Sequence, residues 1–135
     1  MDEATRTQQW RERLAVATTR VFLAEREGRV VGFCAHGPCH HADLTSAWEI
    51  YGLHVSPELR GGGIGSRLFA AACEHGRHAG AGVLTLWVVK SNGAARRFYE
   101  SKFMQPDGIE KQRELGPDVV LHEVRYRMEL AAQPR

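Results

Sequence analysis

The chain has 135 residues, 43% apolar and 25% charged, the profile of one folded domain with a core and not of a disordered chain. Its formal charge of +2, carried mostly by dispersed arginines, gives no pull toward nucleic acid or membrane, and no apolar run approaches the roughly 20 residues that cross a bilayer. Three cysteines, Cys34, Cys39 and Cys73, form no disulfide framework, and the acidic start Met1-Asp2-Glu3 lacks a signal peptide's pattern, so reduced thiols in a cytoplasmic protein are expected.

Residues 5–17 carry Trp10, Leu14 and Ala17 at helical spacing and predict a helix. Residues 19–25 and 29–36 read as two strands of a hairpin, with Glu27-Gly28 as the turn because glycine takes a positive φ at no steric cost. A loop over 37–46 leads to a third strand at 47–55, in which Gly52 hints at a bulge. Residues 64–79 predict a helix whose stripe Ile64, Leu68 and Ala72 faces the core, stopped by Gly80-Ala81-Gly82. The nearly continuous apolar run 83–89 suits a strand buried on both faces, as in a parallel pair. A second helix follows at about 92–101, with Asn92 as N-cap. Over 119–130, Val124, Tyr126, Met128 and Leu130 alternate with Glu123, Arg125, Arg127 and Glu129, which predicts one buried and one solvated face, Arg125 and Arg127 on the latter. The order predicts a single α/β domain over 1–135, a mixed, mostly antiparallel sheet with helices on both faces.

Between the third strand and its helix lies Arg60-Gly61-Gly62-Gly63-Ile64-Gly65-Ser66. Its glycines let backbone N–H groups approach a ligand, and the helix start adds unpaired N–H groups with a partial positive charge, so the loop suits a phosphate or pyrophosphate. No Lys follows the last glycine, which excludes a Walker loop, and the spacing of a dinucleotide fingerprint is not met. What matches is R/Q-x-x-G-x-G/A, filled by Arg60, Gly63 and Gly65, followed about thirty residues on by Asn92-Gly93-Ala94-Ala95-Arg96-Arg97-Phe98-Tyr99-Glu100-Ser101-Lys102-Phe103 as N-x-x-A-x-x-F-Y-x-x-x-F.

These two motifs resemble the acyl-CoA loop and the second motif of the GNAT superfamily of N-acetyltransferases, over roughly residues 8–130. The resemblance implies acetyl-CoA as cosubstrate, with no metal, and a central parallel pair of strands, 47–55 and 83–89, that splay apart to admit it. It places the pantetheine arm against backbone of Leu53 and Val55. The pyrophosphate falls on Gly61, Gly63, Gly65 and Ser66, with Arg60 nearby. Asn92 lies near the arm and Tyr99 near the sulfur. The implied reaction is direct attack of a primary amine, from a small molecule, a polyamine or a protein N-terminus or lysine, on the thioester. A free alkylamine titrates near about 10, so a base is useful. Glu49 is the candidate, with Tyr51 on its face as a water-mediated alternative and His54 on the opposite face unless a bulge inverts the register. Tyr99 is the candidate acid for the leaving thiolate. The alternative is an acyl-CoA-binding sensor or regulatory subunit without catalysis.

Two departures stand out. Lys102 replaces the family's glycine before Phe103, in a turn that a Lys tolerates less well. The usual first strand and helix before the segment matching 5–17 have no counterpart, so an N-terminally short domain is expected, with strand 19–25 an edge open to a homodimer partner. The run Cys34-Ala35-His36-Gly37-Pro38-Cys39-His40-His41 has metal-ligand chemistry but no standard ligand spacing, and reads as a loop with histidines.

Overall fold

The computed structural model describes residues 11–14 and 19–130. Seven strands form one sheet in the order β1-β2-β3-β4-β5-β7-β6. They are β1 (Arg11–Leu14), β2 (Arg20–Arg26), β3 (Arg29–Pro38), β4 (Ala47–Val55), β5 (Val83–Val89), β6 (Gln105–Gly116) and β7 (Val119–Glu129). A 3-10 turn at Pro57–Leu59 and helix α1 (Ile64–His78) join β4 to β5, and α2 (Gly93–Ser101) joins β5 to β6. The β4–β5 pair is parallel and all other pairs are antiparallel, as expected for the sheet's centre and its wings.

Local chemistry explains most boundaries. The β2–β3 turn has positive φ at both Glu27 (52°) and Gly28 (79°), as a type I′ hairpin turn requires. Asn92 caps α2, its side-chain oxygen accepting the Ala95 N–H at 3.1 Å. The turn strain expected at Lys102 falls one residue later: Lys102 has φ −96° and Phe103 takes the left-handed conformation at φ 73°.

The helix expected over 5–17 is corrected in its described part. Residues 11–14 are a strand paired with β2, and the remainder of that segment lies outside the described residues. Helical spacing is a weak prior, and four residues laid along an open strand gain ladder hydrogen bonds that override it. The same pairing makes β1, not β2, the outer strand at that end, so the expected open edge at 19–25 is covered at Arg20–Leu23.

The core lies between the sheet and the helices. From β4, β5 and β7, Trp48, Ile50, Leu84, Leu86, Val88, Val124 and Tyr126 are buried together with Ile64, Leu68, Phe69, Ala72 and Cys73 of α1 and Tyr99 of α2. The predicted stripe on α1 is therefore core. Gly76 marks the tightest crossing, since a Cβ there would stand 2.9 Å from Trp48 Cγ. Phe69 touches both Phe98 and Tyr99 at ring-centroid distances of 6.2 Å, so the two helices share one face. The other face carries no helix among the described residues. That open face is covered in part by the loop at 39–46.

A bulge in β4 decides which side chains reach the open face. Ala35 pairs with Gly52 but His36 pairs with Ile50, leaving Tyr51 as the extra residue. Trp48 and Ile50 before the bulge, and Leu53 and Val55 after it, all belong to the core cluster or pack on it. Glu49 and His54 consequently share the open face, where the His54 ring pairs with Phe33.

Candidate active site

Parallel pairing of β4 and β5 stops at Ile50↔Leu86, and the strands then diverge to Val55 and Val89. Leu53 and Val55 thus have no partner on their β5 side, as a ligand inserted between the strands requires. Arg60 is exposed, and its Nε donates to the Val55 carbonyl at 3.4 Å.

The glycine loop begins α1 on the helix face beside the opening. Gly61 and Gly63 have φ of 86° and 91°, and a Cβ on either would meet nothing within 4 Å, so the loop is open to solvent there and not a packed turn. The Gly62 N–H is used by the Leu59 carbonyl at 3.3 Å and the Arg67 N–H by that of Gly63 at 3.1 Å. Those of Gly61, Gly63, Gly65 and Ser66 have no partner among the described residues. No side chain caps this end of α1. Four free donors at the positive end of a 15-residue helix fit a pyrophosphate. Lys102, which sequence reasoning treated as a flaw in a turn, places its Nζ 2.6 Å from Ser66 Oγ at this same end.

Tyr99 projects from α2 between Phe69 and Phe98, 8% exposed. Its hydroxyl makes no hydrogen bond among the described residues, and burial, with Cys34 nearby, pushes its pKa up to about 12. It therefore holds its proton at neutral pH. Asn92 sits at the end of the opening with its side-chain oxygen committed to the cap.

On the open face the structure assembles a cluster that the sequence shows only in fragments. Glu49, in register with Thr85 of β5, is largely buried, and burial raises its pKa, opposed by His41, Lys111 and a hydrogen bond with Cys39. His41 Nε2 lies 3.8 Å from Glu49 Oε1 and accepts from Trp87 Nε1 at 3.1 Å. Cys39, His41 and Glu49 bring one ligand atom each within 4.8 Å of one another, a trio able to hold a metal ion; the run from Cys34 to His41 supplies two of them and β4 the third. In this structure they serve a hydrogen-bond network, with the Arg125 guanidinium 3.4 Å from His41 Nδ1. Tyr51, on the bulge, is turned away to donate to the Pro38 carbonyl.

Arg125 is the main correction. Expected on a solvated face, it is 2% exposed, held by Asp43 at 3.0 and 2.6 Å and by Asp107 at 2.7 Å. Its partners lie 82 and 18 residues away, beyond the reach of any periodicity argument. The hydrogen bond from Arg125 holds the Asp43 carboxyl down at about 2. Arg127 remains partly exposed, as expected, with Glu129 at 3.9 Å. Trp87 is the other residue missed: it interrupts an apolar strand where the opening begins, between His41 (centroids 5.4 Å apart) and the ammonium of Lys111, 4.2 Å from its ring centroid.

Residues 1–103 match the model of the acetyltransferase (GNAT) family. The chain belongs to the GNAT family. An uncharacterized N-acetyltransferase of Archaeoglobus fulgidus is 39% identical over 84 residues, 61% of this chain and 57% of that protein. A mycothiol acetyltransferase of Thermobispora bispora is 43% identical over 84 residues, 59% of this chain and 28% of that protein. The chain thus spans about half of one relative and about a quarter of the other. Among solved structures, a ribosomal-protein-alanine N-acetyltransferase of Brucella melitensis superimposes with a TM-score of 0.69 at 28% identity, covering 83% of this chain and 69% of that one. The splayed parallel pair and the glycine loop are therefore a GNAT fold in its GNAT setting. No helix among the described residues is long and apolar enough to cross a membrane.

Proposed function

We propose that this GNAT domain is an acetyl-CoA-dependent N-acetyltransferase acting on a primary amine. The observation that carries the reading is the division of labour across the opening: free N–H groups on the helix face, a buried carboxylate on the other. Gly61, Gly63, Gly65 and Ser66 would hold the pyrophosphate, and Leu53 and Val55 the pantetheine arm, with Asn92 and Arg60 at its edges. The bound thioester supplies an activated acetyl group and a thiolate leaving group.

The chain's own residues do the rest. Glu49, whose carboxyl is raised by burial, accepts a proton from the incoming ammonium, directly or through water. A backbone N–H of β4 near Val55 would stabilise the developing oxyanion. Tyr99, protonated and with a free hydroxyl, donates to the departing sulfur. The opening itself orients the two reactants from opposite faces, which accounts for much of the rate in a direct transfer.

The test is a thermal shift with acetyl-CoA, followed by CoA release with a panel of amines. A ligand at about a hundred times its dissociation constant stabilises by roughly 2.7 kcal/mol. Gly63→Asp, which puts a negative charge among the free N–H groups at the cost of some strain at a left-handed residue, should abolish the shift. A normal shift in that variant refutes the loop assignment.

A further inference from the structure

Glu49 of β4, Trp87 of β5 and Glu123 of β7 project from the open face of three strands adjacent in the sheet. Trp87 is the first residue of β5 beyond the last parallel pair. Its ring presents a π face on the open side. Glu123 of β7, which pairs with Val89 two residues further along β5 on the same face, is 8% exposed; its Oε1 is buried without a hydrogen-bond donor, in an ion pair with Arg113 Nε at 3.6 Å. A buried carboxylate oxygen left without a donor, on the same face as an indole ring, is a seat that matches an alkyl ammonium. Arg113 is mostly exposed, so its pair with Glu123 is screened by solvent, and Arg125 on the same face is already held by two aspartates.

The chain fills this seat itself. Lys111, on the long and exposed β6, pairs in register with Glu123 and lays its ammonium 4.2 Å from the Trp87 ring centroid. Cross-strand partners of opposite charge on one face attract each other. The chain has three lysines, Lys90, Lys102 and Lys111. Lys90 is paired with Glu110 at 3.3 Å on an exposed surface, and Lys102 is on the helix face at Ser66. Only Lys111 stands at the opening on the side where the acceptor must arrive.

We propose that the seat of Trp87, Glu123 and Glu49 is the acceptor-ammonium site, taking unbranched alkyl ammonium groups, and that Lys111 is its built-in occupant and a site of self-acetylation. This rests on the acetyltransferase reading above. The neutral Nζ of Lys111 attacks the thioester carbonyl carbon; an N–C bond forms and the C–S bond breaks. The amine's proton passes to Glu49 or water, and the thiolate leaves as the thiol with a proton from Tyr99 or water. The acetylated side chain is neutral, loses its hold on Trp87 and Glu123, and vacates the seat for a second amine.

The experiment incubates the protein with isotopically labelled acetyl-CoA and follows label on each lysine by mass spectrometry. Lys90, exposed on the same molecule, measures uncatalysed acetylation. Lys111 should gain label about tenfold faster than Lys90 or more, at a first-order rate independent of protein concentration, as expected for proximity on one chain. Gly63→Asp should reduce Lys111 to the Lys90 rate. With a linear alkyl amine as acceptor, Lys111→Gln should lower KM roughly three- to tenfold, because a competing cation has left the aromatic face; Lys90→Gln should leave KM at the parent value. Trp87→Leu should raise that KM, and Glu123→Gln tests the same seat if the Trp87 variant does not fold. CoA release with free amines, but equal slow labelling of Lys111 and Lys90 and no KM change in Lys111→Gln, overturns the proposal alone. No CoA release with any amine and no labelled lysine overturns the acetyltransferase reading and the proposal with it.

Discussion

Replacing Arg125 by Met tests whether the open face is held together from inside. In the parent, Arg125 ties three separate segments: the loop carrying Asp43, the start of β6 at Asp107, and its own strand β7. Methionine keeps the length and apolar stem but leaves Asp107, whose side chain is 10% exposed, as a buried carboxylate without its cation. Breaking a buried pair from one side costs about 3–5 kcal/mol. The lower end applies here, because Asp43 is more than half exposed and returns to water when released. A loss of about 3 kcal/mol lowers the midpoint of a domain this size by about 10 °C, read by calorimetry at neutral pH. The released loop carries His41, so acceptor KM should rise while acetyl-CoA affinity holds within about twofold, below the roughly 1.4 kcal/mol of a tenfold change. A melting point within 2–3 °C of the parent, about 1 kcal/mol or less, would refute the account of Arg125 as a buried tie.

Three further outcomes are expected. Tyr99→Phe keeps the ring contacts to Phe69 and Phe98 but removes the acid, so kcat should fall by about a hundredfold, the low end for a general acid, with little change in acetyl-CoA affinity; single-turnover kinetics checks it. Glu49→Gln should slow turnover most at low pH, where free amine is scarcest, and yet raise the midpoint at pH 7. Burial raises the folded carboxyl above its unfolded value of 4.5, so its penalty on folding is absent below that pH, appears as pH rises through the folded value, and vanishes in the amide. His36 is fully buried, accepts from Trp48 Nε1 at 3.0 Å, and is lowered to about 4 by burial, with His75 and Arg20 adding to the effect. Its contribution is present above the unfolded value of 6.5 and lost as pH falls toward 4, up to about 3 kcal/mol at roughly 1.4 per unit. Urea titrations at pH 7 and pH 4.5 should show that loss, and His36→Gln, which can still accept from Trp48, should flatten it.

What the sequence makes legible follows the range of the signal. The glycine loop, the Asn92 cap and the α1 stripe are local patterns, and each occupies its expected place. Tyr99 and Glu49 come from the resemblance to the family; Tyr99 is buried between Phe69 and Phe98, and Glu49 lies on β4 just before its pairing with β5 ends. The strand at 11–14 escapes because its partner β2, not its own periodicity, decides its state. His54 is placed by a single extra residue at Tyr51, which inverts every side chain after it. Arg125 looks like a surface residue because alternation shows which face a side chain takes, not what covers that face. The cluster of Cys39, His41, Glu49 and Trp87 gathers residues from three segments, and no window of the sequence contains it.

The two helices on one face have a consequence for how such a domain can change. The described core lies almost wholly between the sheet and these helices, so most substitutions on that side threaten folding before they alter anything else. The opposite side is upholstered by a loop and a hairpin arm whose residues, Arg125 apart, contribute little to the core. New acceptors can be explored there at small thermodynamic risk. A lineage of enzymes with one donor and many recipients is what such an asymmetry makes accessible.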